Sequence, residues 1–402
     1  MDETQTLYRN LRALPPTAWI LFGGTFLNKF GTFVVPFLAL YLTSRGFTFA
    51  QAGIAIGAYG VGNVFATIIG GHLADHIGRR KTIILSMFSG AATMMMLSQA
   101  ASYPSILAAS ALCGLAGEFY RPASSALLAD LVPAANRVTA YSAYRMAINA
   151  GFAFGPATAG FLAGRGYFWL FAGDAATSAL FGLVAIFALP EVPHPPENRG
   201  SWLEASRTLL ADRRLLRVLL AALGIALVFF QMNCTFGLAV TGAGLSLREY
   251  GLLLSMNGAM VVLIELPLTT ITTRHPPLSV IALGYLVIGI GFALTAFAST
   301  LAAFAACIAI FTFGEMAAMP VTSAYVAGLS PRHMRGRYMG AYGLTWTVAQ
   351  VVGPGLGMAL FSRSAPVYWA ACGAIGIASA ALAARASAIS AAPEAAPSAA
   401  GK

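Results

Sequence analysis

The sequence predicts an all-α integral membrane protein whose twelve transmembrane helices form two parallel-duplicated six-helix bundles. Three observations predict this fold: the composition, a series of long apolar runs and an internal repeat. Of the 402 residues, 58% are hydrophobic and only 9% are charged, and the mean hydropathy is +0.74. A soluble domain carries roughly a quarter of charged residues. The composition therefore excludes a soluble enzyme, a disordered chain and a fibrous chain as first expectations.

Twelve apolar runs divide the chain, six on each side of a polar segment. A helix needs about 20 apolar residues to cross a bilayer, and continuous rather than alternating apolar residues exclude an outer-membrane barrel. In lipid every backbone N–H and C=O needs an internal partner, so the runs must be helical. The predicted spans cover about 17–42, 50–71, 81–100, 103–130, 139–163, 167–189, 215–240, 249–272, 277–298, 301–328, 337–362 and 365–384.

Two polar segments set the expected domain boundaries. The stretch after the sixth span is rich in proline and charge, and the end of the chain is rich in Ala, Pro and Ser, which is typical of disorder. We expect an N-terminal six-helix bundle at 1–190, a cytoplasmic central loop at 191–214, a C-terminal six-helix bundle at 215–385 and a disordered tail at 386–402.

The basic residues lie mostly on one side of the predicted membrane. If the N-terminus is cytoplasmic, seventeen of the 24 Lys and Arg residues lie in inner loops and tails, and four lie in outer loops. Positive residues mark the cytoplasmic side, so both termini are predicted to be cytoplasmic. The net charge of +10 then reflects topology and contact with lipid headgroups, and no nucleic-acid partner is expected.

The two halves of the chain repeat at a shift of 198 residues. A repeat in the same orientation, near half the chain length, indicates a duplicated six-helix unit. Two parallel six-helix halves around an axis along the membrane normal are typical of one class of transporter. The matched pairs are Pro122 and Pro320, Ser125 and Ser323, Pro133 and Pro331, Arg137 and Arg335, Tyr144 and Tyr342, Gly155 and Gly353, and Pro156 and Pro354.

The loop after the second span carries a known signature. From Gly71 to Lys81 the chain reads GHLADHIGRRK, which resembles the G-x-L-A-D-x-x-G-R-R-K motif of the major facilitator superfamily. The twelve spans, the duplication and the long central loop agree with that family, so the resemblance covers essentially the whole chain.

Three further segments resemble the drug:proton antiporter branch of that superfamily in bacteria. They are Tyr120-Arg121-Pro122-Ala123, Gly314-Glu315-Met316 and the Gly151-x-x-x-Gly155-Pro156 of the fifth span. The last segment departs from the antiporter pattern, because Ser142 stands where an earlier glycine is expected. The direction of transport therefore stays open.

The resemblance implies a secondary active transporter in the bacterial inner membrane that exports small amphipathic or drug-like compounds in exchange for protons. The alternative is a proton-coupled uptake carrier, or an exporter of one anionic metabolite. The expected partners are a small-molecule substrate, protons and the lipid bilayer, and we expect a monomer. No cofactor and no metal are expected, because the proton gradient supplies the energy. No GxxxxGK[ST], HExxH or GxSxG motif is present, so an enzyme is not expected.

The loop motif suggests a conformational switch. Asp75 lies among basic residues, and Asp130 can reach them if spans two, three and four are neighbours; a static anchor for the helix ends is the alternative. Glu265, near the inner end of span eight, fits a gate or ion pair as well as proton work. The candidate switch residues are Gly71, Asp75, Gly78, Arg79, Arg80, Asp130 and Glu265.

Ionisable residues inside the spans are the strongest functional candidates, because burying each costs about 2.5–3.5 kcal/mol on insertion scales. Glu315, Glu118 and Asp174 are the proton-coupling candidates. A hydrogen bond for Glu315, neutralisation of Glu118 by Arg121 and a structural role for Asp174 are the alternatives. Lys29 is expected to pair with one of these acids, or to bind an anionic substrate.

The substrate pocket is expected among spans one, four, seven and ten, by resemblance to the family. Phe and Met surfaces adapt to varied shapes, although most such residues in so apolar a chain face lipid or other helices. The candidate substrate-binding residues are Asn28, Lys29, Tyr120, Arg121, Gln231, Asn233, Met316 and Met319, with Phe229 and Phe230 beside them.

Overall fold

The structure, a computed structural model, describes residues 11–133, 136–192, 212–330 and 335–388. Within these ranges the chain forms fifteen α-helices and no strand. Most of the predicted central loop and the predicted tail from residue 389 onward lie outside the described residues. The last helix extends to Ala388, so its final turn occupies the start of the segment predicted as tail.

The first half contains eight helices among its described residues. They are α1 (Pro16–Phe30), α2 (Val34–Ser44), α3 (Phe49–His76), α4 (Arg79–Gln99), α5 (Tyr103–Glu118), α6 (Tyr120–Leu131), α7 (Arg137–Ala163) and α8 (Phe168–Ala188).

The second half follows the same plan. Its helices are α9 (Arg213–Phe229), α10 (Thr235–Gly242), α11 (Leu247–Thr272), α12 (Pro277–Leu294), α13 (Leu301–Leu329), α14 (Arg335–Arg363) and α15 (Ala365–Ala388). A 3-10 turn, Phe230–Asn233, separates α9 from α10.

Eleven helices among the described residues are long and apolar enough to cross a membrane, counting α1 with α2 and α9 with its 3-10 turn. The fourth predicted span is made of α5, with 16 residues, and α6, with 12, each too short on its own. Phe119 alone separates them. Together they supply the twelfth crossing, and the protein is a multi-pass membrane protein.

The break in the fourth span lies at Phe119, three residues before Pro122. Its cause is Ser86 of α4, whose hydroxyl inserts between the two helices. The hydroxyl donates to the carbonyl of Ala116 over 2.6 Å and accepts from the amide of Tyr120 over 3.1 Å. A side chain inserted into the helical ladder is a known cause of a helix break.

The first and seventh spans are interrupted at matching places of the two halves. In the first span Gly31 lies against α8, and a Cβ at this position would overlap Thr177. The Thr32 hydroxyl donates over 3.1 Å to the carbonyl of Asn28. These breaks free backbone groups in the interior of the bundle, where polar side chains can be placed against them.

The two halves touch mainly at the end remote from the Gly71–Lys81 loop. There α3 packs on α14, and α7 packs on α11. Tyr250 donates to the carbonyl of Pro36 over 3.0 Å, and Asn63 donates to Gln350 over 3.1 Å. The largest apolar core joins both halves at this end, whereas a second core at the loop end contains only first-half residues. A cleft is therefore open toward the loop end.

Candidate transport site

A cluster of three charges lies at the centre of the first half. The Lys29 ammonium is 3.0 Å from Oε1 of Glu118, and the Arg121 guanidinium is 3.5 Å from Oε2. Lys29 and Glu118 are buried, but the side chain of Arg121 is 57% exposed. A guanidinium facing lipid in mid-membrane is costly, so Arg121 faces the cleft. Of the three acids considered for Lys29, the structure brings it to Glu118.

The helix packing around Lys29 explains its burial. Gly151 of α7 lies against the backbone of α1, where a Cβ would come 2.7 Å from the amide of Phe30. The Lys29 ammonium lies 5.5 Å from the ring centre of Tyr120 and 5.9 Å from that of Phe152. Aromatic faces attract a desolvated cation. The lysine is therefore held by one carboxylate and two rings.

Asp174 of α8 is buried near this cluster without an ion pair among the described residues. Its carboxyl faces the backbone amides of Phe33 and Val34 at the start of α2. The positive end of a helix dipole favours negative charge. The break in the first span therefore places a helix N-terminus next to this acid.

In the second half the candidate acid Glu315 is held by one neutral donor. Glu315 of α13 accepts a hydrogen bond over 2.8 Å from Asn257 of α11, which also donates to Thr312 over 2.9 Å. None of the described cations lies within ion-pair distance of Glu315. Asn257 is not among the residues predicted from the sequence, where its only signal is a polar amide inside an apolar run.

Among the described residues, one ion pair connects the two halves. Arg145 of α7 lies 3.6 Å from Glu265 of α11, and the Arg145 side chain is largely exposed. A cavity of about 150 Å³ surrounds the pair, with Asn149 and Met146 among its lining residues. Glu265 thus pairs with Arg145 across the two halves.

A half-buried aromatic cluster stands in the second half. The Trp346 ring centre is 5.3 Å from Phe229 and 6.2 Å from Phe230. Phe311 and Tyr342 extend the cluster. Phe229 and Phe230 are among the residues predicted from the sequence. Trp346 of α14 is not, although Tyr342, one turn before it, belongs to the repeat.

Several predicted substrate contacts are buried in helix packing in this conformation. Tyr120 and Met316 are almost fully buried, and Gln231 donates to the carbonyls of Leu227 and Gly353, both over 2.9 Å. In this conformation these side chains lie between helices, and little of their surface is exposed.

Two other predicted contacts are half-buried, and a third is enclosed. Asn233 and Met319 are half-buried. Asn28 is buried and donates to Ser178 over 3.3 Å. The side-chain amide of Asn28 therefore belongs to the interior of the first half rather than to the cleft wall.

The loop motif forms a network at the end of the first half. Arg79 pairs with Asp130 over 3.1 Å, as the sequence predicted for neighbouring spans. Arg80 donates to the carbonyls of Ala185 and Ile186 at the end of α8. Asp75 is exposed at the end of α3.

A glycine makes the tight turn between α3 and α4 possible. Gly78 has φ +93°, a conformation that residues with a Cβ rarely adopt. Gly71 has open space around it and no packing constraint. The two motif glycines therefore differ: Gly78 sets the turn, and Gly71 is not needed for a close contact in this conformation.

The family model described as Major Facilitator Superfamily matches residues 21–354 and, in a second match, residues 222–402. The chain belongs to the major facilitator superfamily. Members of this superfamily are transporters rather than enzymes and need no cofactor. Among the residues that the structure describes, no group of three or more His, Cys, Asp or Glu side chains could hold a metal ion.

Characterised relatives of this transporter are distant. A Na(+), Li(+), K(+)/H(+) antiporter from Planococcus maritimus is 26% identical over 373 residues, covering 83% of this chain and 87% of the relative. The quinolone resistance protein NorA from Staphylococcus aureus is 25% identical over 146 residues, covering 36% of this chain and 38% of NorA.

Among solved structures, a POT family transporter in complex with 5-aminolevulinic acid has the same fold. It superposes with a TM-score of 0.78 at 15% identity, covering 92% of this chain and 95% of that one. At this identity the likeness concerns the fold alone.

Proposed function

We propose that this major facilitator superfamily transporter exports small amphipathic compounds in exchange for protons. The observation that carries the proposal is a carboxyl within a span of each half of the molecule: Glu118 is buried, and Glu315 accepts a hydrogen bond from Asn257. A carboxyl enclosed among apolar helices can change between charged and neutral forms with large energetic consequences. The antiporter and drug-efflux names of two relatives support this function.

The two acids have different surroundings and so different roles. Glu118 is already paired with Lys29 and Arg121, whereas Glu315 has only the neutral donor Asn257. A charged Glu315 can attract a cationic group of the cargo, and a protonated Glu315 cannot. Proton and cargo therefore compete for Glu315, which is the exchange that an antiporter needs.

Alternating access couples this competition to movement. The moving bodies are the two predicted bundles, 1–190 and 215–385, and each ligand favours the state it binds better. Rocking would separate α3 from α14 and α7 from α11 at the closed end, while closing the cleft at the loop end. Arg145 and Glu265 already reach across the cleft and would come closer.

The aromatic side chains of the second half indicate which class of cargo the transporter binds. Phe229, Phe230 and Trp346 form an aromatic surface. Aromatic faces attract desolvated cations and offer apolar contact to varied shapes. An amphipathic cation with a flat apolar part fits this surface together with Glu315.

The membrane and its orientation complete the proposal. The excess of Lys and Arg in the loops on one side supports a cytoplasmic position for both termini by the positive-inside rule, and the open cleft would then face the cytoplasm. We propose a monomer in the bacterial inner membrane, taking cargo from the inside and protons from the outside.

A specific observation favours a second candidate function. Arg121 and Arg145 are both more than half exposed on the first-half side of the cleft. Two exposed guanidinium groups would attract carboxylate or phosphate. Uptake or export of one anionic metabolite is therefore the alternative.

Transport in inside-out vesicles tests the proposal. We expect a fluorescent amphipathic cation to accumulate in the vesicles when their lumen is more acidic than the medium. It should leak out when this pH gradient is collapsed. Glu315→Gln should abolish the accumulation, because an amide cannot exchange a proton. The matched control is Glu191→Gln, since that acid forms an exposed pair with Lys81.

The outcomes separate the two candidates. Accumulation of the cation by wild type and by Glu191→Gln, but not by Glu315→Gln, supports cation:proton antiport. Normal export by Glu315→Gln contradicts it. Gradient-driven movement of organic anions alone, lost in Arg121→Ala, would replace the first function with the second.

A further inference from the structure

A small polar cavity lies inside the first half, apart from the cleft wall formed by the second half. It encloses about 20 Å³ accessible to a water-sized sphere, which is room for about one water molecule. Six helices contribute to it: α1, α2, α3, α4, α5 and α8. Its polar lining residues are Asn28, Thr32, Tyr59, Glu118, Asp174 and Ser178.

Two buried carboxyl oxygens at this cavity lack a hydrogen bond. Among the described residues, neither Oδ2 of Asp174 nor Oε2 of Glu118 accepts one, although Oε2 has Arg121 at ion-pair distance. Both side chains are at least nine-tenths buried. Buried polar atoms are almost always hydrogen-bonded, to the protein or to ordered water.

The other groups around the cavity restrict what can occupy it. The ionisable side chains that face the two carboxyls are Lys29 of α1, Tyr59 of α3, Cys113 of α5 and Arg121 of α6, while α4 contributes only Gly90 and Met94. The Lys29 ammonium is already 3.0 Å from Glu118. A second cation beside it would be repelled, whereas a neutral water can donate to both carboxyls.

We infer that a water molecule bound in this cavity joins Asp174 to Glu118 and passes protons from the closed end of the first half toward the cleft. The inference deepens the proposed antiport, on which it rests, by assigning the route of the proton. Asp174 is near the start of α8 at the closed end. Glu118 contacts Arg121, whose guanidinium reaches the cleft.

The transfer balances as a two-step relay. The neutral carboxyl of Asp174 gives its proton to the water oxygen, and the water gives one of its own protons to Oε2 of Glu118. Asp174 is left as a carboxylate, which the amides of Phe33 and Val34 face. Protonated Glu118 no longer neutralises Lys29, so the ion pair that joins α1 to α5 is weakened.

Gly117→Ala is the variant that tests the water site. Gly117 lines the cavity, and a Cβ built there meets no atom within 4 Å. The added methyl therefore narrows the space open to the water from the cavity wall without a clash, and Ala favours a helix over Gly by about 1 kcal/mol. Gly23→Ala is the matched control, because its Cβ also meets no atom within 4 Å and it does not line the cavity.

Infrared difference spectra of the full chain in nanodiscs, recorded between two pH values, report the protonation of the two carboxyl groups. This measurement does not depend on transport. Asp174→Asn and Glu118→Gln assign the carboxylic-acid bands. We expect Gly117→Ala to shift both bands and to remove a water O–H band, while Gly23→Ala leaves the spectrum unchanged. Unshifted carboxyl bands in Gly117→Ala overturn the inference, and so does a spectrum that responds to Na⁺ or Li⁺ at constant pH, which indicates a bound cation.

The rate of proton-driven export is the second measurement. Gly117→Ala should slow proton-driven export roughly tenfold or more while cargo binding, measured without a gradient, is unchanged. If the wild type exports cargo and Gly117→Ala exports it as fast as Gly23→Ala, the relay is contradicted but the proposed antiport is not. A wild type that moves no cargo under any proton gradient contradicts the proposed function, and the infrared bands then still decide whether the water joins the two acids.

Discussion

Asn257 donates a hydrogen bond to Glu315 over 2.8 Å, from one helix of the second half to another. The other hydrogen of the same amide is donated to Thr312, whose hydroxyl in turn donates to the carbonyl of Ile308. This chain of donors fixes the orientation of the Asn257 amide. Glu315 is thus positioned by a neutral group and keeps its charge available for a proton or a cationic cargo.

Asn257→Ala should reduce proton-driven export by roughly tenfold, because Glu315 loses the donor that orients it. Glu315→Gln should abolish export, and the double variant should be no worse than Glu315→Gln alone, since the two residues act as one unit. The measurement is gradient-driven uptake into inside-out vesicles. Additive losses in the double variant would show that Asn257 acts elsewhere.

Lys29→Met should destabilise the protein by about 3 kcal/mol, because it leaves the buried carboxylate of Glu118 with only the more distant Arg121. Lys29→Met combined with Glu118→Gln should recover most of this loss, since no uncompensated charge then remains. Thermal unfolding in detergent measures both. Lys81→Met is the control, because its exposed pair with Glu191 contributes at most about 1 kcal/mol. A double variant as unstable as Lys29→Met would contradict the pairing.

Gly57→Ala should weaken the closed end. A Cβ at Gly57 would lie 2.6 Å from the carbonyl oxygen of Val351, which belongs to backbone and cannot move aside. We expect spin labels on α3 and α14 to separate at this end, as the population shifts toward the opposite access state. Gly355→Ala on α14 is the control, since its Cβ would meet no atom within 4 Å. Unchanged label distances in Gly57→Ala would mean that this contact does not hold the end closed.

Asp130→Asn should slow transport by shifting the balance between the two access states. Arg79 is almost fully buried, and the substitution removes the charge of its partner at 3.1 Å. A buried guanidinium without an anion is unfavourable, so the conformation that contains it becomes less populated. Label distances between the two halves at the loop end report the shift. Equal distance distributions in Asp130→Asn and wild type would favour a static anchor over a switch.

Much of the architecture was predictable because each span is a local feature. A bilayer requires long apolar helices that satisfy their own backbone, so the runs, the repeat and the Gly71–Lys81 motif sufficed for twelve crossings and the family fold. The break at Phe119 was not predictable in place, because it depends on Ser86 of a neighbouring helix. Pro122 indicates that this part of the span is irregular, but it does not indicate that the break lies at Phe119.

The sequence by itself determined which ionisable residues lie within the membrane, because a charge in an apolar run is visible without any packing. Only the tertiary structure decided their partners: Lys29 meets Glu118 rather than Asp174 or Glu315, Arg145 meets Glu265, and Asn257 meets Glu315. It also decided that Tyr120, Met316 and Gln231 are enclosed between helices. The physical reason is that partner choice and burial depend on how each helix is rotated about its axis and packed against its neighbours, and a span's own residues do not specify this.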